Sequence, residues 1–213
     1  MNKVIGHLKT INKHKYMVTK LCFRCHLYKQ GILHDLSKYS ICELKTGFKY
    51  YQGYRSPIDA QKEDIGYSLS WLHHKGRNKH HWEYWLDNGP NGIHPVKMPT
   101  NYVIEMFCDR VAASMIYQKD KYRDDSALIY YENGRNRIMI HPETDKLIHH
   151  LLFPPFSKFI LNCGFPSSVT VITTVASYIL PVLADLHPLS LTSPLDRSFC
   201  ATADVRLFPM LSK

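Results

Sequence analysis

The sequence predicts an all-α protein, a helical bundle followed by a poorly ordered or apolar C-terminal extension. Three observations carry this expectation: apolar residues recur at three- and four-residue steps in two long stretches, helix-start signals precede several segments, and charge thins abruptly after Leu152. With 213 residues, 45% of them hydrophobic, the chain can bury a real core, which excludes a disordered protein. A formal net charge of +9 favours anionic partners, whether phosphorylated small molecules, nucleic acid or a membrane surface. Charge alone does not choose among them, and a basic solvated surface explains it equally well.

From about Thr10 to Gln30, Ile11, Val18, Leu21 and Cys25 fall on one helical stripe, and His14 shares it. His14 therefore points inward, either as a core histidine bonded to a backbone carbonyl or as a metal ligand. Within this helix Cys22-Phe23-Arg24-Cys25-His26 matches the pattern for covalent haem attachment. That chemistry belongs to exported proteins, so no haem is expected and the pair is read as core filling. Gly31 is a plausible helix stop, after which a second helix carries His34 and Asp35 onward to about Tyr50. The His34-Asp35 doublet lies among Ile32, Leu33 and Leu36, and a carboxylate buried there needs a partner: a metal or a strong hydrogen-bond network.

Ser56-Pro57-Ile58-Asp59 reads as a helix start, with serine as cap, proline in the first turn and an acid beside the helix dipole. The helix it opens should end in Trp71–Trp85, which holds four histidines, three tryptophans and three cations in fifteen residues. A break at Gly76 would let His73 and His74 from one side converge with His80 and His81 from the other. Paired neutral imidazoles are good ligands for zinc, iron and manganese. An aromatic and histidine surface that stacks on a partner or on bases is the competing explanation.

Asn88–Pro99, rich in proline and glycine, is expected to be a loop, with Thr100 capping a helix to about Gln118. On that helix Met106, Asp109, Ala112, Ala113 and Ile116 share a face, which puts an acid on an apolar stripe; a salt bridge to Arg110 or to a lysine across the core would account for it. Shorter helices are expected near Ser126–Asn133 and from Pro142 to about Leu152. A domain of residues 1–152 is then followed by a tail, 153–213, that lies outside it. Only seven of the last 63 residues are charged, and twelve of the thirteen histidines precede residue 151. Phe165–Leu183 approaches the length of a membrane span, but Pro166 and Pro181 weaken that reading, so a membrane role is not expected unless this run is an anchor. No secretory signal is legible at the start, so a cytoplasmic location with reduced cysteines is expected.

The His34-Asp35 doublet with Lys38 three residues on resembles the signature of the HD superfamily of metal-dependent phosphohydrolases, which are helical. More narrowly, about Lys13 to Leu152 looks like an uncharacterised family of small HD-like proteins with an HDLSKY segment and a WLHHKGRNKHHWEYW segment. The broader resemblance implies that Asp109 completes a metal site and that Lys38 matches the lysine of the His-Asp-x-x-Lys segment, with Asp35 and Lys38 as catalytic residues. Together His14, His34, Asp35, His73, His74, His80, His81 and Asp109 offer nitrogen and oxygen ligands without thiolate, suited to one or two divalent ions such as Mn, Fe or Zn. Such ions lower the pKa of the water they hold, so hydrolysis is the natural reaction. Lys38, Arg77, Lys79 and Arg110 lie beside these ligands in sequence and could hold phosphate oxygens, making a nucleotide or another phosphorylated small molecule the expected substrate. Two alternatives are a basic nucleic-acid-binding module, with Trp71, Trp82 and Trp85 stacking on bases, and a di-iron oxygenase built on the same ligands. Oligomeric state is not legible.

Overall fold

A computed structural model describes residues 2–154 and residue 157, and they form a mostly helical domain. Eight α-helices are present among the described residues: α1 (Lys3–Arg24), α2 (Tyr28–Leu33), α3 (Ile41–Tyr50), α4 (Pro57–Ile65), α5 (Leu69–Lys75), α6 (Thr100–Gln118), α7 (Ser126–Gly134) and α8 (Pro142–Leu152). Apart from Phe153, Pro154 and Ser157, the expected tail, with its Phe165–Leu183 run, lies outside the described residues. No helix among the described residues is long and apolar enough to cross a membrane.

The stripe read from Thr10 onward belongs to a longer helix. In α1, Asn2 caps the start by accepting from the Val4 amide at 2.9 Å, and Ile11, His14, Val18, Leu21 and Cys22 form the buried face. The helix ends seven residues before Gly31, where His26 turns the chain with φ 57°. Gly31 is no stop but a contact point inside α2: a Cβ there would sit 3.0 Å from Cys22 Cβ and 3.2 Å from Phe23. Only glycine lets α2 lie so close against the end of α1.

The expected second helix is divided. His34 and Asp35 occupy the bend after α2, a 3₁₀ turn follows at Leu36–Tyr39, and Ser40 opens α3 by accepting from the Glu43 amide. Ile32, Leu33 and Leu36 are about half exposed, so Asp35 is not buried by its neighbours in sequence. Ser56 and Pro57 open α4 as read, but α4 stops at Gly66 and a separate helix, α5, capped by Ser68, carries His73 and His74. Gly76 ends α5 as expected.

The stretch expected to be a loop contains a small antiparallel hairpin, β1 (Leu86–Gly89) with β2 (Gly92–Pro95), in which Leu86 pairs with Pro95 and Gly89 with Gly92. Its Pro90-Asn91 turn is not one of the favoured two-residue types, since neither residue has positive φ; the left-handed residue is Gly92, at φ 97°, and the flanking strands lack the alternating apolar residues that would have announced a hairpin. At α6 the cap is Pro99, one residue before Thr100. α6 packs against α1 on one side and α7 and α8 on the other, which is why its buried residues (Val103, Met106, Phe107, Cys108, Val111, Ala112, Ile116) span more than one stripe. Phe107 and Val111 are essentially inaccessible, each worth about 1.5–3 kcal/mol of apolar burial. Cys22, Cys25 and Cys108 fill the same core, with Cys25 Sγ 3.8 Å from Cys108 Sγ. Helices α7 and α8 match the expected spans, α7 running one residue past Asn133.

Candidate metal centre

Asp35 is the hub. It sits in the left-handed region, φ 54° and ψ 26°, a conformation that costs a non-glycine residue about 1–2 kcal/mol and that aspartate tolerates better than most. The turn is closed by the Lys38 amide bonding to the Asp35 carbonyl at 3.0 Å. This bend sends the Asp35 carboxylate inward, where its side chain is 2% exposed. Lys38 Nζ lies 2.6 Å from Oδ2.

Two groups of ligands share that carboxylate. The first joins His14 on α1, His34, Asp35 and Asp109 on α6; the second joins Asp35, His74 on α5, and His80 and His81 from the connection after Gly76. Around Oδ2 stand His34 Nε2 at 3.2 Å and His14 Nε2 at 3.6 Å; around Oδ1 stand His74 Nε2 at 3.2 Å and His80 Nε2 at 3.4 Å. Asp109 Oδ1 is 2.9 Å from His14 Nε2 and 3.6 Å from His34 Nε2. One carboxylate oxygen therefore faces each group.

The remaining ring nitrogens explain why the Nε2 atoms converge. Glu105, one helical turn before Asp109 on α6, takes His34 Nδ1 at 2.9 Å and His80 Nδ1 at 3.2 Å. Glu43 on α3 takes His74 Nδ1 at 2.9 Å with one oxygen and His73 Nδ1 at 2.7 Å with the other. Asn78 and Ser37 add contacts to His74 Nδ1 at 3.2 and 3.1 Å. Carboxylates that hold Nδ1 fix the tautomer and aim Nε2, the usual outer support of a histidine metal ligand.

The unsatisfied buried atoms show what the arrangement could hold. His14 Nε2, His34 Nε2, His80 Nε2, His81 Nε2 and both Asp35 oxygens are buried without a hydrogen bond of sound geometry. Buried polar atoms are normally satisfied, and these leftovers are the very atoms that would ligate a cation. Electrostatics agree: the centre gathers four carboxylates, Asp35, Asp109, Glu43 and Glu105, against two ammonium groups, Lys38 on Asp35 and Lys15 at the outer edge, which feels Asp35 and Glu105. Without a metal, protons share the neutralisation. Burial opposes a charge on His34, yet Asp35, Asp109 and Glu105 outweigh it and lift His34 well above the usual imidazole range; His74 is raised in the same way by Asp35 and Glu43. Burial and the neighbouring imidazoles depress His80 and, more strongly, His81, which keeps both neutral and ready to donate. Burial would raise Asp35 and Asp109, but the histidines, with Lys38 at Asp35, hold both well below the carboxylate range. Buried groups of histidine and carboxylate that could hold a metal ion are thus present, with no thiolate among them.

Beside the centre opens a cleft of about 670 Å³, lined by His14, Lys38, His74, His81, Asp109 and Arg110 and, further out, by Arg55, Arg137 and a wall of aromatics that includes Trp71, Trp82, Tyr130 and Tyr131. Arg110 lies over the Tyr131 ring at 4.9 Å.

The structure thus gathers seven of the eight expected ligands. His73 is not among them; its contact is Glu43, outside both groups. Of the four expected cations, Lys38 and Arg110 reach the cleft. Arg77 is exposed and bonds the His73 carbonyl at 3.3 Å, and Lys79 sits over the rings of Tyr84 and Tyr102, so neither lines it. Sequence reasoning missed Glu43, Glu105, Arg55 and Arg137. Glu105 had a signal, since it lies four residues before Asp109 on one helix face. Glu43 looked like an ordinary first-turn acid behind the Ser40 cap.

A family model described as a family of unknown function, DUF5662, matches residues 3–153. No curated protein and no solved structure matches significantly.

Proposed function

The chain belongs to the DUF5662 family, whose function is unknown, and from the Asp35 centre we propose a metal-dependent hydrolase of phosphate esters, acting on a nucleotide or another phosphorylated small molecule. The observation that carries the reading is the convergence of unpartnered imidazole and carboxylate atoms on Asp35 at the floor of a cation-bearing cleft. His14, His34, Asp35 and Asp109 would hold one divalent ion, and Asp35, His74, His80 and His81 a second. Ions of this kind supply Lewis acidity and an activated water near neutral pH.

The residues do the rest. Glu105 and Glu43 keep the imidazoles oriented, so the ligand geometry exists before substrate arrives. Lys38 and Arg110 face the cleft, where their charge can hold phosphate oxygens and stabilise the charge that builds as the ester bond breaks. Trp71, Trp82, Tyr130 and Tyr131 offer flat faces to the organic part of the ester, and a cleft of about 670 Å³ admits a group of nucleotide size. Base stacking on the histidines themselves is disfavoured, because His74 and His80 are each 2% exposed.

The test is elemental analysis of full-length protein purified without chelators, together with assays on a panel of nucleotides, phosphomonoesters and phosphodiesters. Bound Mn, Fe or Zn is expected, with hydrolysis that chelator abolishes and added metal restores. Protein that holds no transition metal and hydrolyses nothing when Mn, Fe or Zn is supplied would end this reading.

A further inference from the structure

The bend that presents His34 and Asp35 is held from outside by a residue that is neither a ligand nor a lining of the cleft. α2 is only six residues long, and the carbonyls at its C-terminal end have no helix to continue into. Two side chains of α1, one turn apart on one face, take them. Thr19 Oγ1 donates to the Gly31 carbonyl at 2.7 Å, and Lys15 Nζ donates to the Ile32 carbonyl at 2.6 Å and the His34 carbonyl at 2.9 Å. A cation at the C-terminal end of a helix is also on the favourable side of its dipole.

The placement of Lys15 is what gives it meaning. It follows His14 directly, so the residue that contributes a ligand to the centre is chained to the residue that grips the next ligand segment. The gripped carbonyls lead directly into the one backbone position, Asp35, that sits in the left-handed region inside the centre. Such a conformation persists only where its surroundings over-determine it. Among the described side chains, Lys15 is the one that bonds the His34 carbonyl, immediately before that strained residue.

We propose that Lys15 is a positioning residue, whose ammonium pins the Ile32 and His34 carbonyls and so holds His34 and Asp35 in the turn that aims them at the centre. The inference rests on the metal reading for its functional consequence but not for its structural content. Removing the ammonium frees the bend to relax toward ordinary backbone, which withdraws Asp35 from both ligand groups at once.

Lys15→Met, which keeps the aliphatic stem, is compared in the full chain with Lys15→Arg, which keeps charge and donors. The first readout is amide hydrogen exchange in metal-free protein. Lys15→Met should speed exchange locally at residues 34–39, where the Lys38 amide closes the turn, and Lys15→Arg should restore protection. The second is affinity for Mn²⁺ and Zn²⁺ by competition with a chromophoric chelator, expected to fall about 10–100-fold in Lys15→Met and to recover to within about threefold in Lys15→Arg. If Lys15→Met does not fold, Lys15→Gln replaces it in both measurements. Unchanged exchange at residues 34–39, or equal losses in the Met and Arg variants, would overturn the proposal. Wild-type protein that binds neither ion would sink the hydrolase reading instead, and the exchange comparison would still decide the role of Lys15.

Discussion

Two aspartates, each at the centre of its own network, separate structure from site: Asp145, whose side chain is 19% exposed, and Asp35, whose side chain is 2% exposed. Asp145 on α8 accepts from the Tyr131 hydroxyl on one oxygen at 2.5 Å and from Arg135 on the other at 2.6 Å. Every contact pairs a donor with an acceptor in its ordinary protonation state. Asp35, on the other side of α6, meets Lys38 and a ring of imidazole Nε2 atoms, most of them left without a hydrogen bond. A closed network holds helices together; an open one of this depth is held open by its carboxylate-supported histidines and is destabilising unless something enters it. The difference distinguishes a tie between helices from a cluster that could hold a cation.

The largest effect expected from breaking this contrast is at Asp35. Asp35→Ala should reduce bound metal and hydrolysis to background and abolish the rise in Tm on metal addition, measured by elemental analysis, assay and thermal melts. Retention of both metal and activity would make Asp35 no more than another Asp145. The converse substitution, Asp145→Ala, should lower unfolding free energy by about 1–2 kcal/mol in denaturant titration, since it takes the acceptor from the part-buried Tyr131 hydroxyl while Arg135 stays solvated, and metal content should stay that of the wild type. A loss of metal there would merge the two networks.

A smaller, pH-dependent effect sharpens the same comparison. His34 is raised above 6.5 in the folded metal-free protein, so its contribution to stability is full below about pH 6.5 and is lost as pH rises through its folded value. Asp35 and Asp109 are lowered from 3.8, so theirs is present above that pH and is lost as pH falls through their folded values. Asp145 is lowered too, by Arg135 and Tyr131 against the opposing burial, and weakens only on the acid side. His80 and His81, held neutral by burial, act the other way and cost stability as pH falls below about 6.5, so chelator-treated protein should melt highest near that pH and lose Tm toward alkaline pH as His34 and His74 give up their protons. Metal should reverse the alkaline loss, because ligation requires His34 to give up its proton. Melts across pH with and without Mn²⁺ check this, and a metal-free Tm that climbs steadily to pH 9 would contradict it.

How much of this could be read beforehand depended on whether a residue's role was local. His14 and Asp109 were legible because each sits on a helix whose periodicity shows which way it faces, and Gly76 because helix breaking is local. The left-handed bend at Asp35 was not, since nothing in Leu-His-Asp-Leu announces a positive φ, and a continuous helix was the simpler expectation. Nor was the source of its burial: Ile32, Leu33 and Leu36 point outward, and α1, α5 and α6, distant in sequence, cover the carboxylate. His73 and His74 are indistinguishable in sequence, and only the position of Glu43 divides them into support and ligand.

Asp35 is also the one member common to the two four-residue ligand groups, with one oxygen turned toward each. Were both groups to take an ion, occupancy of one would alter the affinity of the other, by linkage equally in both directions. The second binding step of a titration would then carry information about the first, and a substitution at position 35 would be felt at both groups.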